Sequence, residues 1–131
     1  MMTKEEHINH WLKTADEDMK TMYLLYKEKK YVHALFFGHL HLEKYCKALW
    51  IKNNESNTPP KIHNLLTILE RANVTVEEDK KIFLLKLNQY QLEGRYPSDW
   101  DKLWKITNGS LTTNYVETIK EISKCILKKL Q

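Results

Sequence analysis

Apolar residues recur at helical spacing along most of the chain. Ile8, Trp11, Leu12, Ala15, Met19, Met22, Tyr23 and Tyr26 follow the three-and-four step of one helix face. Ahead of them, Thr3 and Glu6 have the spacing in which each side chain satisfies a backbone N–H left free at a helix start. The pattern predicts a first helix from Thr3 to about Tyr26, then a charged connector over 27–30. A second helix is predicted over 31–52, where Val32, Leu35, Phe36, Leu40, Leu42, Cys46, Leu49 and Trp50 occupy most of the circumference. Such a helix belongs at the centre of a domain.

The polar stretch 53–60 ends in Pro59-Pro60 and reads as a loop, because Asn and Ser compete for backbone bonds and Pro60 cannot continue a helix. A third helix over 62–72 carries Ile62, Leu65, Leu66 and Leu69 on one face. Thr75 and Glu78 predict a second capping box, opening a fourth helix that packs Phe83, Leu87 and Tyr90 inward and ends at Gly94. Ser98 and Asp101 predict one short turn, and Asn108-Gly109-Ser110 a turn before the last helix, where Tyr115, Ile119, Ile122, Ile126 and Leu130 keep the step. The sum is an all-α bundle of about five helices, folded as one domain over 1–131.

Composition narrows the chemistry. Only three Gly and three Pro occur in 131 residues, too few for a turn-rich β architecture or a Gly-rich phosphate loop. GxGxxG, GxxxxGK[ST] and HExxH are absent, as are the Glu-x-x-His pairs of di-iron bundles. His39 and His41, two apart on a helix, point about 200° away from each other. His7 and His10 share a face, with no third ligand to complete a site. No metal and no cofactor is therefore expected. Cys46 and Cys125 fall among apolar neighbours and are expected to be buried, reduced and unpaired. The start MMTKEEHINHW has no apolar leader core, and no run approaches the roughly 18 apolar residues of a membrane span. The expected setting is the cytoplasm, away from a membrane.

The net charge of +4 comes from 21 basic residues against 17 acidic ones, with the excess at the C-terminal end. That permits an anionic ligand such as a nucleotide or RNA, without the dense basic patch of a dedicated nucleic-acid binder. Arg occurs only as Arg71 and Arg95. Three clusters then stand out. His39, Glu43, Lys44 and Lys47 lie on the crowded second helix, where Glu43 and Lys47 read either as a solvated i, i+4 pair or as part of a ligand site. His63 follows the Pro-rich loop and can hold an anion, move a proton or cap its own loop. In Arg95-Tyr96-Pro97 one of the two Arg residues sits beside a rigid turn.

Trp11-x3-Ala15-x2-Asp18-x3-Met22, Tyr31-x2-Ala34, Glu43-Lys44-x2-Lys47-Ala48, His63-x-Leu65 and Arg95-Tyr96-Pro97 occur in an order and spacing that resembles the HEPN domain family over nearly the whole chain. The resemblance implies an up-and-down bundle, commonly dimeric, with a nucleotide-binding role. Many members are encoded beside a small nucleotidyltransferase and form a toxin–antitoxin pair with it. Others are metal-independent ribonucleases in which a His follows the Arg by a few residues. Here Arg95 is followed by Tyr96, Pro97, Ser98, Asp99, Trp100 and Asp101. Without the imidazole such a site loses roughly 10²–10⁴-fold in rate.

The resemblance therefore implies a binding module first. Lys44 and Lys47 supply positive charge, His63 and Arg95 contact phosphate, and Tyr96 stacks on a base. The implied partners are a nucleotide or RNA, a small nucleotidyltransferase and a second copy of the chain; Trp100 and Trp104, spaced i, i+4 after the Pro97 turn, either form an exposed patch for that copy or cover the bundle's end. The alternatives are a ribonuclease using Arg95, and a purely structural interaction domain in which Arg95 pairs with Asp18 or Glu43.

Overall fold

The computed structural model describes residues 1–131. It contains six α-helices and no strand: α1 (Lys4–Lys27), α2 (Tyr31–Asn53), α3 (Leu65–Arg71), α4 (Glu78–Leu87), α5 (Pro97–Ile106) and α6 (Gly109–Leu130), with a 3₁₀ turn at Asn88–Tyr90 between α4 and α5. The capping box at Thr3 and Glu6 forms as expected. Helix α1 ends in a Schellman turn: the Lys30 N–H donates to the Leu25 carbonyl at 2.8 Å and the Lys29 N–H to that of Tyr26 at 3.0 Å. Lys29 takes the left-handed conformation this requires, at φ 63°. The chain thus reverses within three residues, which sets α2 antiparallel against α1.

Helix α2 is the centre of the bundle and packs against α1, α3, α6 and the 3₁₀ turn. Its buried residues run from Val32 to Ile51 on every side, as its all-round apolar pattern requires. Gly38 permits the closest approach. A Cβ there would lie 2.6 Å from Ile119 Cδ1 of α6 and 2.9 Å from Met22 Sδ of α1. Around this point Ala15, Met22, Leu35, Leu42, Leu49, Leu65, Leu84 and Ile119 join one contiguous core. Buried polar links run through it. The neutral His41 donates from Nδ1 to the Ala15 carbonyl at 2.8 Å and accepts at Nε2 from Ser123 Oγ at 2.8 Å, tying α1 to α6 through α2. Beside it Tyr45 donates to Asp16 at 2.8 Å. No helix is long and apolar enough to cross a membrane.

Four local expectations are corrected. Helix α3 starts at Leu65, three residues late, because Asn64 is the cap: its Oδ1 accepts from the Thr67 N–H at 3.2 Å. The Thr75–Glu78 box does not form; Glu77 stands at the start of α4 without a side-chain cap, since Val74 and Val76 pack into the core and hold the chain extended up to it. Helix α4 ends at Leu87 rather than at Gly94. Asn88 and Tyr90 are drawn inward, Asn88 by polar partners described below and Tyr90 by a 2.6 Å bond between its hydroxyl and that of Thr107. Gly94, at φ 72°, serves the exposed bend beyond. The single turn expected at Ser98–Asp101 is instead the ten-residue helix α5, begun by Pro97 and anchored by Leu103.

A fifth correction concerns a side chain. Cys46 is buried, but Cys125 is exposed. Ile119, Ile122, Ser123 and Ile126 take the inward face of α6. Cys125, about 100° from Ile126 around the helix, falls at the rim of a shallow groove between α6 and the start of α4.

Candidate functional site

His39, Glu43 and Lys47 are four apart on α2 and share one face. Glu43 accepts from Lys47 Nζ at 3.1 Å on one oxygen and from His63 Nδ1 at 2.9 Å on the other. The side chains of Glu43 and Lys47 are each only 7% exposed. They are not the solvated pair that an i, i+4 spacing suggests, because the Lys47 ammonium lies 5.6 Å from the centre of the Trp11 ring and His63 closes over Glu43 from the loop before α3. His39 is fully buried. Desolvation lowers its pKa and keeps it neutral, with Nε2–H donating to Asn88 Oδ1 at 3.1 Å. The same Asn88 oxygen takes the Leu65 N–H, and the Asn88 amide donates to Asn64. This network holds the start of α3 and the 3₁₀ turn to the central helix.

Lys44 turns the other way. Its Nζ is 2.6 Å from Asp18 Oδ2 on α1. Lys44 and Lys47 thus have separate partners, and each charge is matched by a carboxylate where it stands. Arg95 meets neither Asp18 nor Glu43, whose oxygens are held by Lys44, Lys47 and His63.

Arg95 lies in the bend before α5. Its Nε–H donates to the Gln91 carbonyl at 2.7 Å, which aims the side chain while leaving the terminal nitrogens unpaired. On α5, Pro97, Trp100, Asp101 and Trp104 share one face at the three-and-four step. With Arg95 they line a wide-open surface pocket of about 510 Å³. The indoles of Trp100 and Trp104 are stacked, 6.0 Å apart and 22° from parallel. His33 of α2 packs against both, at 5.5 and 5.4 Å between ring centres. Tyr96, at the pocket's shoulder, is 75% exposed.

The five residues expected to converge are therefore divided. Lys47 and His63 share the Glu43 network, Lys44 is on α1's side of the bundle, and Arg95 with Tyr96 stands at the foot of α5. The i, i+4 spacing of Trp100 and Trp104 marks an aromatic patch after the Pro97 turn, but reading α5 as a single turn leaves out His33 and Asp101 as its neighbours. Once α5 is a helix, the spacing of Pro97, Trp100, Asp101 and Trp104 is the signal. Chemically the pocket offers a guanidinium for an anion, two indole faces for a planar ring and one carboxylate. No imidazole lines its wall.

Comparison with known proteins finds one match. The family model described as HEPN domain matches residues 8–131, nearly the whole chain. No curated protein and no solved structure matches.

Proposed function

The chain belongs to the HEPN domain family, and from that premise we propose that it is a nucleotide-binding module whose ligand sits in the Arg95 pocket. One observation carries this reading: the Arg95 guanidinium, paired with no carboxylate, stands at a pocket walled by two stacked indoles. A nucleotide needs both parts, a cation for its phosphate and aromatic faces for its base.

Ribonuclease activity is the second reading and ranks lower, since a guanidinium can hold the phosphate but the pocket wall holds no imidazole, and its one proton-moving group is the Asp101 carboxylate. We propose further that the module pairs with a small nucleotidyltransferase, as the HEPN half of a toxin–antitoxin pair, and forms a homodimer. The exposed Tyr96 and Ile106, at the two ends of α5 and outside the pocket lining, supply apolar area for such contacts. The two free thiols suit the reducing cytoplasm.

Arg95→Ala tests the reading. Nucleotide binding measured by calorimetry should weaken about tenfold, the cost of a lost charge-assisted bond. The melting temperature should move by less than about 3 °C, because an exposed side chain with one backbone contact contributes little to the fold. A large loss of stability with unchanged binding would overturn the proposal.

A further inference from the structure

Arg95 and Asp101 line one pocket with opposite charges, yet they form no ion pair with each other. Lys102 and Lys105, on the same helix, do not pair with Asp101 either, so its exposed carboxylate stays open to a ligand. A carboxylate left free in a pocket that also holds a guanidinium is ill suited to a ligand that is only an anion. It suits a ligand with an anionic end and, some distance away, an edge rich in hydrogen-bond donors.

We infer that the Arg95 pocket selects guanine nucleotides, with Asp101 reading the base. The inference rests on the nucleotide reading above. An ionised carboxylate only accepts hydrogen bonds, through two oxygens side by side. Guanine is the base whose pairing edge presents two adjacent donors, N1–H and the N2 amino group. Adenine and cytosine each set one amino group beside a ring nitrogen lone pair, which would face the carboxylate and repel it. Uracil has one N–H between two carbonyls.

The placement agrees with this chemistry. Asp101 and Trp104 are i, i+3 neighbours on α5, so their side chains arise about 5–6 Å apart. A purine lying on the indole then has its edge beside the carboxylate. Arg95, in the bend preceding the helix, is left for the phosphate.

Calorimetric titration of the full chain with guanosine, inosine and adenosine monophosphates tests the assignment, alongside Asp101→Asn and Asp101→Ala. Both variants alter an exposed side chain, and circular dichroism checks that they fold. The wild type should bind guanosine monophosphate at least about tenfold tighter than adenosine monophosphate, the value of one charge-assisted bond gained and one repulsion avoided. Inosine monophosphate, which keeps N1–H and lacks the amino group, should fall between. Asp101→Asn should turn the preference toward adenine, since an amide supplies the acceptor and donor that adenine's edge complements. Asp101→Ala should bind all three alike. Equal wild-type affinity for the guanine and adenine nucleotides, or an unchanged guanine preference in Asp101→Asn, overturns this inference while leaving nucleotide binding in place. Failure of every nucleotide to bind overturns it together with the proposed function.

Discussion

His63 Nδ1 stands 2.9 Å from Oε1 of Glu43, so a half-exposed imidazole from the loop before α3 closes over a carboxylate that is only 7% exposed. The bond joins residues twenty positions apart, and it turns what would be a surface ion pair with Lys47 into an interior one. Buried ion pairs add little net stability but are costly to break on one side. Glu43→Ala should therefore cost about 3–5 kcal/mol, by leaving the Lys47 ammonium buried without its counter-charge. The double change Glu43→Leu with Lys47→Met should recover most of that loss. Urea unfolding of the three proteins decides the matter; a Glu43→Ala loss below about 1 kcal/mol, the usual worth of a solvated pair, would contradict it.

Acid should weaken the fold through His39 and His41. Burial is the largest influence on both and lowers each from the ordinary value of 6.5. In the unfolded chain each imidazole takes up a proton near pH 6.5, while in the folded chain it resists until lower pH. The unfolded state therefore binds more protons in that window, and stability falls as pH falls. It should be full above about pH 7 and decline from about pH 6.5 downward, through the lowered folded values. His41→Gln, which can still donate to the Ala15 carbonyl and accept from Ser123, should flatten the dependence. Urea midpoints between pH 5 and pH 8 provide the check, and a midpoint that rises on acidification would refute the assignment.

Gly38→Ala should destabilise the junction of α1, α2 and α6. The added Cβ would meet Ile119 Cδ1 at 2.6 Å and Met22 Sδ at 2.9 Å, and both side chains lie in the packed core. The better helix propensity of Ala offers up to about 1 kcal/mol in return. Overpacking typically costs about 1–3 kcal/mol, so the net change should be a loss. Pairing Gly38→Ala with Ile119→Val, which removes the methyl in contact, should restore part of it. A Gly38→Ala protein with a raised melting temperature would show that the helices separate at no cost.

The two thiols should differ in reactivity. Complete burial raises the pKa of Cys46 far above its ordinary value, and the folded chain shields it. Cys125 is exposed. A maleimide should label Cys125 within minutes in the native protein and reach Cys46 only on unfolding. Mass spectrometry of digested, labelled protein reads both sites, and equal labelling of the two would place Cys46 outside the core.

Much of this could be read from the order of residues. Helices α1, α2 and α6, the cap at Thr3, the loop ending in Pro59-Pro60 and the central place of α2 follow from terms acting within a few residues: helical periodicity, side-chain caps, and the conformational limits of Pro. The same local terms misplaced the start of α3, the cap of α4 and the extent of α5. At each of these places distant partners compete with the local signal. Asn64 is held by Asn88 as well as by its own helix, Tyr90 is drawn to Thr107, and α5 is covered by His33 from the start of α2.

The candidate site divides along the same line. That Arg95, His63, Lys44 and Lys47 needed a partner or water was legible, because charged and titratable residues on or beside apolar helices must be solvated, paired or used. Which of these fates each one met was decided only by tertiary structure. Burial and the partner within about 4 Å determine whether a charge is neutralised or free, and those partners come from helices far apart in the chain. Asp18 matches Lys44, Glu43 matches Lys47 and His63, and α5 leaves Arg95 without a counter-charge at the mouth of a pocket.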